Sequence, residues 1–216
     1  MKKKILINTA VLCAAIIILG FLQRLLMPKY MNEIPEGNLI EEYYHDAKNH
    51  DVIFIGDCEV FSNISPVTLW ENYGITSYIR GSAQQLIWQS YYLLEETLKY
   101  EKPDVVVYNV LAMKYNEPQK EAYNRLTLDG MKLSKSKIGA IRASMMEGED
   151  FITYLFPLLR YHSRWSELTA EDFRYLFKKD TLSHNGYLMR IDTKPVNVIP
   201  KGKKLPNYQF GSNSYD

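Results

Sequence analysis

The sequence has little of what staples or metallates a small fold. Its two cysteines are Cys13 and Cys58. Cys13 lies inside a long apolar run and Cys58 well outside it, so no disulfide is expected between them. No Cys/His group has metal-ligand spacing, so neither a metal nor another cofactor is expected. Net charge is missing too: 26 basic side chains against 25 acidic ones leave +1. A nucleic-acid binder would show a basic excess on one face, so no nucleic-acid partner is expected. There is no internal repeat. What remains is a globular balance, 46% hydrophobic and 24% charged, which excludes wholesale disorder. The 216 residues suffice for one domain with a sizeable core.

The long apolar run comes first. From Ile5 to Leu22 only Asn8 and Thr9 are polar. As a helix this stretch is about 27 Å long, near the hydrocarbon thickness of a bilayer. The run ends in Leu22-Gln-Arg-Leu-Leu-Met27 without an A-x-A cleavage pattern, and Val11-Leu12 before Cys13 does not suit lipoprotein processing. Residues 1–27 therefore read as an uncleaved anchor, with the bilayer itself as a partner. Lys2-Lys3-Lys4 outweighs Arg24 and Lys29. The positive-inside rule then places a single-pass chain in the cell membrane with its C-terminal domain outside the cytoplasm.

Residues 28–50 form a polar connector. Glu41 to His45 begins a short helix, and the E-x-x-H of Glu42 and His45 reads as a solvated helix face. The domain proper spans 51–216. Val52 to Ile55 is a short apolar strand stopped by Gly56, a residue that permits a sharp turn. Ser65-Pro66 opens a helix that ends near Gly74. Ile75 to Ile79 is a shorter strand near an edge, and Gln84 to Tyr100 is helical. Pro103 to Asn109 is nearly all apolar and reads as a central strand covered on both faces. This β-α-β-α-β order over 51–110 implies an α/β fold: a flavodoxin-like, three-layer parallel sheet. Three strands fall below the usual five or so, so the sheet reads as incomplete and the chain as cut short.

Residues 118–180 read as a helical insertion. Its helices are expected at Gln119–Lys132, Lys135–Met146, Glu149–His162 (broken at Pro157) and Thr169–Lys179. Its aromatic faces, Phe151, Tyr154, Phe156 and Phe173, Tyr175, Phe177, read as core. Residues 181–216 form an irregular tail.

Gly56-Asp57-Cys58-Glu59 lies just past the first strand, where open α/β sheets bind ligands. Together with Gly81 after the second strand, it resembles the first two blocks of the SGNH/GDSL hydrolase superfamily, in its membrane-anchored cell-envelope branch. Pro66, Trp70-Glu-Asn-Tyr-Gly-Ile, Gly81-Ser-Ala-Gln-Gln and Tyr91-Tyr-Leu-Leu-Glu extend the likeness. It covers Asp51 to Asn109, with weaker motifs through Trp165.

The resemblance implies hydrolysis or transfer of acyl esters, with acylated envelope polysaccharide as substrate. Cys58 takes the place of the family's nucleophilic Ser. Gly81 and Asn109, with the N–H of Cys58, stand where oxyanion donors stand, and Asp57 and Glu59 flank the substrate. There are departures. The nucleophile is a thiol. The G-x-N-D block has only Asn109 as a stand-in, with Asn116 behind it. No D-x-x-H supplies a base: Asp180-Thr-Leu-Ser-His184 has one residue too many, and His162 is flanked by Arg160 and Arg164. The chain alone is therefore expected to be inactive.

Plainer roles stay open for each residue. Cys58 also suits a small buried hydrophobe, Asp57 a helix cap and Gly81 a strand terminator. The alternatives for the whole chain are a non-catalytic envelope binding or assembly module, and an anchor for a partner enzyme such as an envelope acyltransferase.

Overall fold

The computed structural model describes residues 2–27, 38–117, 120–177, 181 and 183–189. Most of the connector's first half, Asp180 and most of the tail lie outside these residues. The helix α1 runs Lys2–Leu26. It is long and apolar enough to cross a membrane, and every described side chain up to Phe21 is exposed. Only its last turn, through Leu25 and Leu26, is buried against the rest of the protein.

After α2 (Asn38–Glu42) and a 3-10 turn (Tyr43–His45) comes β1 (Val52–Gly56). Next are α3 (Cys58–Asn63), α4 (Pro66–Tyr73), β2 (Ser77–Gly81), α5 (Ile87–Thr97) and β3 (Val105–Tyr108). The three strands form one parallel sheet in the order β2-β1-β3. Alternation along β1 sorts the two faces, as the two-residue period requires. Ile53 and Ile55 pack with Tyr43, Tyr78, Leu94 and Tyr108 on the α5 side. Phe54 and Val52 pack with Val60, Phe61, Leu69 and Ile79 on the α3–α4 side. The helices between β1 and β2 thus cover one face, and the helix between β2 and β3 covers the other.

Three expectations need correction. The central strand is β1, not Pro103–Asn109. β3 borders the described sheet, with Val105 50% and Val107 42% exposed. An all-apolar run suggests cover on both faces, but the sequence of a strand does not carry its neighbours. The second strand starts at Ser77 rather than Ile75, and although it borders the sheet all five of its residues are buried. The chain at 184–187 covers it: the Ile79 N–H donates to the Asn185 carbonyl at 2.9 Å, and Asn185 Nδ2 donates to the Ser77 carbonyl at 3.1 Å. Finally, Cys58–Asn63 is a helix, where the family likeness implies a short polar loop between Cys58 and Pro66.

The helical part follows as α6 (Glu121–Leu128), α7 (Lys135–Ser144), α8 (Phe151–Leu155), α9 (Pro157–Tyr161), a 3-10 turn (Arg164–Glu167) and α10 (Ala170–Phe177). Pro157 separates α8 from α9 as expected, taking the first position of the second helix. The Asp172 carboxylate accepts from both the N–H and the hydroxyl of Thr169, closing the start of α10. Leu93, Leu128, Met131, Ile141 and Tyr154 share a core that ties this part to α5. Not all of its aromatics are core, however. Tyr154 is buried, but Phe156, Phe173 and Phe177 are exposed. The Tyr175 side chain lies outside the described set.

Candidate functional site at the end of the central strand

The corner begins at Gly56. Its backbone is not left-handed, so the sharp-turn reason for glycine does not hold here. Space is the reason. A Cβ on Gly56 would sit 2.5 Å from Val60 Cγ2 and 2.6 Å from Asn109 Cβ. Glycine lets β1, α3 and the end of β3 close onto one another.

Asp57 then caps α3. Its side chain accepts from the Glu59 N–H at 3.1 Å, satisfying a donor that the first helical turn leaves free. The same oxygen accepts from Asn109 Nδ2 at 3.0 Å. Asn109 in turn accepts from the Leu111 N–H at 2.9 Å through its own Oδ1. Both ends of the Asn109 amide are therefore committed within the protein. Asp57 and Asn109 act as one brace between the ends of β1 and β3.

Cys58 is the first residue of α3 and is exposed. The backbone N–H groups of Cys58 and Gln84 favour the charged form of its thiol. Partial enclosure of the sulfur, then the carboxylates of Asp57 and Glu59, act the other way and win. The thiol is pushed above the ordinary cysteine value, whereas an activated nucleophile is expected to be pulled below it.

Gly81 lies directly opposite Gly56 in the ladder and is buried. The other backbone N–H that favours the thiolate belongs to Gln84, three residues later. The sequence places Gln84 at the start of a helix, but α5 begins only at Ile87 and Gln84 lies in the loop before it, because glutamine carries no turn signal. Its backbone is left-handed at φ 54°, an uncommon state for a residue with a side chain. Its Oε1 is buried without a hydrogen-bond partner among the described residues. The loop beneath is firmly held. Gln85 Nε2 donates to the Arg80 carbonyl at 3.3 Å and to Ser90 Oγ at 2.8 Å, and Ser82 Oγ meets Thr127 Oγ1.

Glu59 is exposed and lines a cavity of about 260 Å3 with Phe54, Val60, Ile64, Val107, Tyr108 and Asn109. The cavity lies where α3 meets the paired strands β1 and β3; Cys58 does not line it. Asn116 is exposed in the segment after the 3-10 turn Val110–Lys114.

No imidazole hydrogen-bonds to Cys58 among the described residues. His50 precedes β1, at the opposite end from Cys58, and its Nδ1 is 2.9 Å from Glu101 Oε2 in a buried pair. His162 is exposed, with Nδ1 2.8 Å from the Leu159 carbonyl. His184 pairs with Tyr187 in an isolated bridge. The carboxylate of Glu42 accepts from Ser183, so the Glu42/His45 pair is tied to the late chain on its acidic side. Among the described residues no group of three or more His, Cys, Asp or Glu could hold a metal ion.

No protein-family model matches the chain, and comparisons with curated proteins and with solved structures return no match.

Proposed function

We propose that the chain is a membrane-anchored, SGNH-like domain of the ester-hydrolase or O-acyltransferase type, facing away from the cytoplasm and acting on acylated envelope glycans. The β2-β1-β3 order supports a flavodoxin-like sheet, whose strands run 2-1-3 before continuing outward and whose ligand crevice opens between β1 and β3. The cavity under α3 reaches Tyr108 and Asn109, at the end of β3 beside β1. Lys2-Lys3-Lys4 at the start of α1 supports the orientation.

The observation that carries the reading is the exposed thiol of Cys58, first residue of α3 just past the end of the central strand. In an acyl transfer, the thiolate attacks the ester carbonyl and a C–S bond forms. Negative charge on the former carbonyl oxygen then falls beside the N–H groups of Cys58 and Gln84. Collapse breaks the C–O bond, and the leaving alcohol takes up the proton that the thiol gave away. Water or an acceptor sugar hydroxyl then attacks the thioester and frees the thiol. The described residues bring no base to this site, so slow acylation without sustained turnover is expected of this chain alone.

The test is mass analysis of the full chain after incubation with p-nitrophenyl acetate. One acetyl adduct on Cys58, absent from Cys58→Ala, is the expected result. An unmodified Cys58 would refute the catalytic reading.

A second reading has its own support. The raised thiol and the mutually satisfied Asp57 and Asn109 suit a protein that keeps the scaffold as an envelope binding or assembly module. In that case Cys58 reacts with thiol-selective electrophiles no faster than free cysteine.

A further inference from the structure

The late helices that carry exposed aromatics lie next to α1, the element among the described residues that fits a bilayer. α9 and α10 both pack against α1, and Arg164 Nη1 donates to the Leu26 carbonyl at 2.8 Å. Along α1 the fully exposed apolar stretch ends at Phe21, and Leu25 and Leu26 are already buried. Helical rise puts only about 7.5 Å between Phe21 and Leu26. The elements that hold the last turn of α1 therefore stand at the edge of the hydrocarbon, in the layer that takes amphipathic and aromatic side chains.

Those same elements carry a cluster of uncovered large apolar residues. Phe156 and Leu159 at α9, Trp165 in the following 3-10 turn, and Phe173 and Phe177 on α10 are all exposed, Trp165 by 55% and Phe177 by 87%. Phe173 and Phe177 are four apart and so share a helix face. Lys178-Lys179 follows directly in the sequence, the aromatic-plus-basic composition of helices that lie in a membrane interface. Isolated exposed apolar residues call for no explanation, but five on the short elements beside the end of α1 do.

We infer that this face is a second membrane contact, in which Trp165, Phe173 and Phe177 enter the headgroup–acyl boundary and seat the domain on the lipid surface beside α1. The inference rests on the reading that α1 spans the bilayer. A single helix leaves a domain free to swivel; a second, interfacial contact fixes which way its clefts face.

The full chain in lipid nanodiscs tests this, using lipids brominated high on the acyl chain, which quench tryptophan at the interface. The emission lost on going from the parent to Trp165→Phe isolates Trp165 from Trp70 and Trp88. Most of that emission should disappear in brominated lipid, whereas Trp70, 58% exposed on α4, should stay bright. As an independent reporter, Phe177→Trp should add a second component of the same sensitivity. If the chain does not enter nanodiscs without detergent, the anchor fails and takes this inference with it. If it enters and Trp165 is equally bright in both lipids, the anchor stands and the interfacial contact is overturned, whether protein or water covers the patch.

Discussion

Gly56 and Gly81 face each other at the ends of two parallel strands, and a methyl group on Gly81 would come within 2.7 Å of the Gly56 carbonyl oxygen. That oxygen is backbone in the middle of the sheet and cannot swing aside. Neither glycine has a left-handed φ. Both are needed for close approach, and the candidate site is built on that approach.

Gly81→Ala should therefore destabilise the domain by about 1–3 kcal/mol, the usual cost of overpacking a filled interior. Thermal unfolding of the detergent-solubilised chain would show it as a lowered midpoint. Gly74→Ala is the contrast. Gly74 has open space around it but φ 68°, so only the backbone conformation is penalised and the loss should be smaller, about 1 kcal/mol. Equal losses at the two sites would remove the packing argument.

The parts of this fold that were legible in the sequence are those decided locally. Ser65-Pro66 and Gly74 bracket α4 because the Ser65 hydroxyl accepts from the Thr68 N–H at 3.2 Å and Gly74 takes the left-handed cap. The strands were legible as short Val/Ile runs. What the chain brings together from a distance was not. Val105 to Val107 has the composition of a central strand and lies at a border, since strand order is set by crossovers. Gln84 reads as helical but is not, because its backbone is set by the loop that Ser82, Gln85 and Thr127 hold in place. Asp57 was legible as a cap or a ligand, and only its contact with Asn109 tells which.

Arg80 tests how the sheet is joined to α5. It is fully buried, with Nη1 donating to the Ile40 carbonyl at 3.0 Å and its guanidinium 4.0 Å from the centre of the Tyr43 ring. Its ion-pair partner Glu96, also buried, stands 3.8 Å away. Arg80→Met leaves that carboxylate without its cation and should cost about 3–5 kcal/mol. Adding Glu96→Gln should restore part of the loss, because the amide oxygen can accept from one of Tyr44 and Ser134 while its NH2 donates to the hydroxyl oxygen of the other. Strict additivity of the two substitutions in a double-mutant cycle would show that the pair is not coupled.

Asp129 gives the helical part a pH dependence of unusual sign. Burial pushes its carboxyl up to about 6, against the opposing pull of Arg125 and Lys137. In the unfolded chain it titrates near about 3.9. Between those values the native state holds the extra proton, so this group's contribution is fully present below about pH 4 and is lost as pH rises through about 6. Urea unfolding of the parent and Asp129→Asn at the two ends of that window checks it. The parent's stability relative to the variant should fall from acid to neutral pH, and a rise would mean that the Arg125 pairing outweighs burial.

The last prediction concerns the thiol itself. Partial enclosure, Asp57 and Glu59 raise the Cys58 pKa, and the N–H groups of Cys58 and Gln84 only partly offset them. Alkylation by iodoacetamide, followed in a Cys13→Ala background, should therefore have a midpoint on the alkaline side of free cysteine. Glu59→Gln removes one of the opposing charges from an exposed position outside the Asp57–Asn109 brace, and should move the midpoint down and speed reaction at neutral pH. Asp57→Asn is the less clean variant, because it also weakens the cap on α3. A parent midpoint below that of free cysteine would mean that the two N–H groups outweigh the carboxylates. Such a thiol would be activated within this chain, and the acylation proposed for it would need no base from elsewhere.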